Sequence, residues 1–147
     1  MRLTREGEYG VRSMLYLCKV GPNRTVSRKE VAAEMEIPEQ FLAKVVKRLA
    51  TKGFLEILQG SRGGYRLLVR PEDVTLLDVV EAMEGEIFLN DCLMQPGTCF
   101  REQECAINRT WKRARESMRG TLRQSDFATL IREESCLLGS GHEESNE

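Results

Sequence analysis

A single histidine, His142, stands in a chain of 147 residues that also holds only one tryptophan and four prolines. One imidazole so near the C-terminus leaves no Ser/His/Asp or Cys/His set for nucleophilic catalysis. No G-x-x-x-x-G-K-[ST] loop is present, and Gly60–Gly64 follows one strand-like run only to enter another, so it is no phosphate cradle. The chain is not expected to be an enzyme. No run of about 18 apolar residues occurs, so no membrane span is expected. The opening residues Met1-Arg2-Leu3-Thr4-Arg5-Glu6 lack the apolar segment of a signal peptide. The expected location is cytoplasmic, where thiols stay reduced. Five cysteines, an odd number, also argue against a disulfide framework.

What is present is unevenly distributed. The net charge of −1 conceals two opposed halves. Residues 1–70 carry 14 Lys/Arg against 7 Asp/Glu, a surplus of +7, and residues 71–147 carry 8 against 16, a deficit of −8. A basic half joined to an acidic one suggests a nucleic-acid-binding part attached to something else. Chance clustering on solvated faces is the plainer alternative.

The apolar pattern predicts a mainly α chain with a small β-hairpin. A first helix from about Thr4 to Val20 buries Val11, Met14, Leu15 and Cys18, and Gly21-Pro22-Asn23 ends it. Ser27-Arg28-Lys29-Glu30 reads as a capping box, with Val26 and Val31 at the two positions of a hydrophobic staple. That helix ends near Glu36, and Pro38 suits the first turn of a third helix, about Glu39–Lys52. Leu42, Val45, Val46 and Leu49 form the inner face of this third helix, with Gly53 as its C-cap. Phe54–Leu58 and Tyr65–Val69 then read as two strands around a glycine-rich turn. Two short helices, a tight turn and a following hairpin make a winged helix-turn-helix over residues 1–70.

Beyond Pro71, Thr75-Leu76-Leu77-Asp78 opens a connecting helix within residues 71–90, which ends near Gly85. Residues 91–105 form a cysteine-bearing loop. A long helix from about Ala106 to Arg119 follows within the segment 106–138. There Ile107, Trp111, Ala114, Met118 and Leu122 step by four or three, as along a coiled-coil seam, despite Gly120. Such a seam predicts a C-terminal dimerisation helix; packing against the winged domain is the alternative. Residues 139–147 are Gly/Ser/Glu-rich and expected to be disordered.

In the winged part, Glu39, Gln40 and Lys44 are placed to face base edges, and Arg28, Lys29, Lys47 and Arg48 to face phosphates. Gln can pair bidentately with adenine and Lys with guanine. Arg62 at the hairpin tip suits a narrow minor groove. Each alone is an ordinary solvated charge, but helix, turn, helix and wing in that order point to DNA.

The thiols are spaced Cys92-x6-Cys99-x5-Cys105, unlike the paired C-x2-C of zinc ribbons or the C-x2-C-x2-C run of ferredoxins. Sulfurs crowded into a short Pro/Gly-containing loop suit soft metals or iron–sulfur clusters. Three unrelated reduced thiols are the alternative. Cys18 reads as a buried hydrophobe and Cys136 as a bystander.

Met1-Arg2-Leu3-Thr4, Tyr9, the turn at Ile37, Gly63-Gly64-Tyr65 and these three cysteines resemble the Rrf-two family of winged-helix regulators, over roughly residues 1–135. The resemblance implies a homodimer on a palindromic operator in double-stranded DNA. It also implies an iron–sulfur cluster, 4Fe–4S or 2Fe–2S, on Cys92, Cys99 and Cys105. In the family's cluster-assembly branch a His lies three residues beyond the last cysteine, where this chain has Asn108. In its nitric-oxide-sensing branch a carboxylate near the partner's N-terminus supplies the fourth ligand, and Glu8 occupies that position, with an ordinary exposed carboxylate as the plainer reading. An oxygen donor among thiolates makes a labile site. The assembly branch has Arg at the position of Gln59 and Glu at that of Ala43, so minor-groove contact and operator preference are expected to differ here. Arg2, Phe41 and Gln59 complete the candidate DNA contacts. The expected function is thus a repressor that reports iron, redox state or nitric oxide through its cluster. The rivals are direct oxidation of the thiols and a structural zinc on the same sulfurs.

Overall fold

The computed structural model describes residues 2–140, with side chains as far as Ser135. Its order is α1 (Arg5–Val20), α2 (Arg28–Met35), α3 (Glu39–Thr51), β1 (Leu55–Leu58), β2 (Gly64–Leu67), α4 (Leu76–Glu84), α5 (Asp91–Met94), α6 (Ala106–Arg123) and α7 (Phe127–Ser140), with single 3₁₀ turns at Pro71–Asp73 and Glu102–Glu104. The helix-turn-helix and wing expected from the sequence are both present.

Local chemistry accounts for most boundaries. The Thr4 hydroxyl caps α1 by accepting from the Gly7 N–H, and the Ser27 hydroxyl caps α2 by accepting from the Glu30 N–H. The Ser27–Glu30 capping box is only half made, because the Glu30 carboxylate is taken by the Tyr16 hydroxyl at 2.6 Å and by Arg24. At Thr75 and Asp78 the reciprocal box is complete. Pro38 is the residue before α3 rather than part of its first turn, and Lys52 with Gly53 closes the helix.

Val26, Val31, Leu42, Val45, Leu49, Leu55 and Leu67 are all essentially inaccessible, which fuses α2, α3 and the hairpin into one core with Met14 and Leu17 of α1. The hairpin pairs Leu55 with Leu67 and Ile57 with Tyr65. Its root is pinned to the start of α2 by two backbone bonds between Val26 and Tyr65, of 2.8 and 2.9 Å. Gly64 is required there: its φ is +153°, and a Cβ would stand 2.1 Å from the Val26 carbonyl oxygen.

The C-terminal half departs from a single long helix. α6 runs straight through Gly120 to Arg123, and the chain then turns at Ser125-Asp126 to begin α7. Phe127 is fully buried in the first core, so α7 returns to pack on α1 and the Pro71–Asp73 turn. Gly139 and Ser140, expected to belong to a disordered tail, are part of α7; the rest of that expected tail, residues 141–147 with His142, lies outside the described residues, as does the Cys136 side chain. A second, smaller core joins Leu77, Val80 and Ile87 to Met118 and Leu122 of α6.

Candidate nucleic-acid interface and thiol site

One face of the winged unit is polar and open. Gln40, Phe41, Lys44, Lys47 and Arg48 of α3 are exposed, as are Arg28, Lys29 and Glu39 at the helix-turn-helix corner and Gln59 and Arg62 on the wing turn. Between α3 and the wing runs a groove of about 320 Å³, floored by Ala43 and Val46 and edged by Arg28, Gln59 and Gly60. Small side chains at its floor let a partner approach the helix closely.

Three of the cations on this face, Lys44, Arg48 and Arg28, are already partnered within the chain. The Lys44 ammonium donates to Glu6 of α1 at 2.6 Å, and Arg48 stands 3.6 Å from the same carboxylate while donating to the Met83 carbonyl at 2.8 Å. Arg28 faces Glu39 at 3.6 Å. The Lys44 hydrogen bond holds the Glu6 carboxyl below the usual carboxylate range; desolvation opposes it, and the charges of Lys44 and Arg48 add to the lowering. Phe41 stacks obliquely on Tyr9 with 6.0 Å between ring centroids, so it fastens α3 to α1 as well as facing outward. Glu6 and Tyr9 were not among the sequence candidates for this face. Contacts 38 and 32 residues long leave no mark in a local pattern.

Arg2 and Glu8 border a shallow depression with Thr4 and Arg5 at the mouth of α1. Glu8 itself is exposed. Thr4 is moored to α4, its backbone N–H and hydroxyl donating to Glu84 at 3.0 and 2.5 Å.

The thiols fall into two groups. Cys92 lies in α5, and Cys105 is the N-cap of α6, its sulfur accepting from the Asn108 backbone N–H at 3.4 Å. The Asn108 amide nitrogen donates to the Cys92 sulfur at 3.3 Å, so one residue joins both sulfurs. Asn108 is 2% exposed and its amide oxygen has no partner, a burial that costs about 1–3 kcal/mol when left unmet. Cys99 is apart from them, exposed on a turn closed by Thr98 to Gln95 and by Glu102 to the Cys99 carbonyl. Among the described residues no three of Cys, His, Asp or Glu surround one centre. The donor chemistry nevertheless suits a soft metal group: two sulfurs are held at one buried, half-satisfied amide, and the third sits on an exposed turn. Cys18 is inert by contrast, burial pushing its thiol up to about 12. Asn108 was visible in the sequence only as the residue three places after Cys105.

The seam proposed along α6 divides. Ile107 is 65% and Trp111 39% exposed, and Ala114 is exposed beside them. Met118 and Leu122 instead pack on Leu77 and Val80 of α4. Arg115, stacked 4.6 Å from the Phe88 ring centroid and donating to the Ile87 carbonyl at 2.6 Å, marks the changeover.

Comparison with known proteins agrees with this architecture. A family model described as "Rrf2: Iron-dependent Transcriptional regulator" matches residues 3–133. Protein rrf2 of Nitratidesulfovibrio vulgaris is 30% identical over 135 residues, 92% of this chain and 90% of that protein. The HTH-type transcriptional regulator NsrR of Geobacillus kaustophilus is 29% identical over 138 residues, covering 93% and 94% of the two chains. Among solved structures, CymR (YrzC), the global cysteine regulator of B. subtilis, superposes with a TM-score of 0.76 at 25% identity, over 90% of this chain and 98% of that one.

Proposed function

The chain belongs to the Rrf2 family of DNA-binding transcriptional regulators, which are not enzymes, and from that premise we propose a homodimeric repressor governed by an iron–sulfur cluster. The observation that carries the cluster reading is the pairing of Cys92 and Cys105 at a buried Asn108, with Cys99 on the turn between them. The family's iron-dependent description supports it. Cys92, Cys99 and Cys105 would hold the group, with Glu8 of the second subunit as the oxygen donor. When bound, such a cluster supplies a centre sensitive to oxidants, nitric oxide and iron supply.

The chain's own residues do the rest. α3 enters the major groove, where Gln40 and Lys44 address base edges and Arg28, Lys29 and Lys47 hold phosphates. Arg62 and Gln59 carry the wing toward the minor groove. Cys105 begins α6 and α6 carries the exposed Ile107–Trp111 ridge, so tension in residues 91–105 acts on the helix that sets the spacing of two recognition helices. The operator is a palindrome because the dimer is two-fold symmetric.

A second reading is favoured by the exposure of Cys99: the thiols respond to oxidants directly, with no cluster. Anaerobic isolation separates the two. A coloured protein with visible absorption that disappears in Cys99→Ala and changes in Glu8→Ala supports the cluster and its fourth ligand. A colourless, iron-free protein that still responds to peroxide overturns it.

A further inference from the structure

Among the described residues two polar side chains are buried, Ser13 and Asn108. Ser13 is explained by the fold, its hydroxyl donating to the Tyr9 carbonyl at 2.7 Å. Asn108 is not, because its buried amide oxygen has no partner. An apolar side chain of similar size would fill the same place without leaving an orphaned oxygen. The backbone N–H bond to Cys105 would form with any residue at this position in the helix. What only the side chain provides is the bond to Cys92, 16 residues earlier, on a four-residue helix whose one buried side chain is Leu93.

We propose that Asn108 is a positioning residue that makes Cys92 and Cys105 a preformed two-sulfur site, to which Cys99 is added when its exposed turn closes. The site takes a thiophilic metal group, which rests on the cluster reading above, whereas the pairing itself does not. Assembly is then ordered, with two ligands pre-oriented and the third recruited, and loss begins at Cys99.

The test uses metal-free, reduced full-length protein equilibrated anaerobically in a glutathione redox buffer, with disulfides mapped by mass spectrometry. Each disulfide formed takes two electrons and two protons from a thiol pair and reduces one glutathione disulfide to two glutathiones. The Cys92–Cys105 product should exceed either product containing Cys99 by about tenfold, a proximity effect. In Asn108→Ala, and in Asn108→Asp, which keeps the shape but loses the N–H donor, the three products should approach parity. No preference in the wild type, or an unchanged preference in a folded variant, overturns the proposal; circular dichroism identifies the variant that folds. A second arm reconstitutes the protein with iron and sulfide and follows loss of visible absorption to a chelator. Several-fold faster loss from Asn108→Asp is expected, and equal rates overturn the proposal. A wild type that takes up no iron overturns the cluster reading alone, and the disulfide distribution then decides the role of Asn108.

Discussion

Two single residues, Cys18 and Glu6, respond to pH in opposite senses. Cys18 sits in the core with its thiol pushed up to about 12 from 9.0 by burial. A raised value stabilises the fold fully below pH 9 and loses that contribution as pH climbs toward 12. Cys18→Val should therefore flatten the alkaline fall in melting temperature between pH 8 and 11, and iodoacetamide should leave Cys18 unlabelled in the native protein while reacting with Cys99. Glu6 works in the opposite sense. Its carboxyl is held low by Lys44, so the pair exists above the usual carboxylate range and is lost as pH falls through the depressed value. DNA phosphates or bases must replace Glu6 at Lys44. Glu6→Gln is therefore expected to raise affinity for DNA a few-fold at fixed salt, read in a binding titration, because Lys44 no longer gives up an internal partner. An unchanged affinity would show that Lys44 does not leave Glu6 for the duplex.

At the level of elements, glycine at two positions has opposite meanings. Gly64→Ala forces a Cβ against the Val26 carbonyl at positive φ and should cost about 1–3 kcal/mol in urea unfolding, with weakened operator binding because the wing root moves. Gly120→Ala lies inside α6 with open space around it and should stabilise by about 0.5–1 kcal/mol. Equal signs for the two substitutions would contradict this placement. The elements themselves were largely legible in the sequence. Ser27, Thr75, the Val26/Val31 staple and the Gly60–Gly64 turn signal locally, through hydrogen bonds and steric rules that span four or five residues. The site was legible as a set of residue types, Cys92, Cys99 and Cys105, but not as an arrangement. That Asn108 pairs two of the sulfurs depends on how α5 docks on α6, which no local pattern records. For the same reason helical periodicity found the stripe from Ile107 to Leu122 without revealing that its last two members turn inward. The return of α7 was hidden because its anchor, Phe127, is one aromatic residue in an otherwise mixed segment.

Across the whole molecule, the two halves divide the labour that their charges advertise. The basic first half presents α3 and the wing, and α7 brings the acidic half back to brace it through Phe127 and the Lys19–Glu134 pair at 2.6 Å. That leaves the exposed part of α6 as the one apolar ridge projecting from the second half among the described helices, with Ile107 and Trp111 flanking a hollow of about 230 Å³. In the homodimer proposed above, this ridge would pair isologously, each subunit's Trp111 filling the other's hollow. If so, the two ends of the stripe have separable effects. Ile107→Glu and Trp111→Glu should yield folded monomers in analytical ultracentrifugation and lose operator affinity by more than about tenfold, because one half-site no longer supports the other. Met118→Ala should leave the dimer intact and lower stability by about 2–5 kcal/mol through a cavity against Leu77 and Val80, less where the partly exposed site can relax. Dissociation on removing Met118, or a persistent dimer in both glutamate variants, would mean that the subunits meet through some other surface.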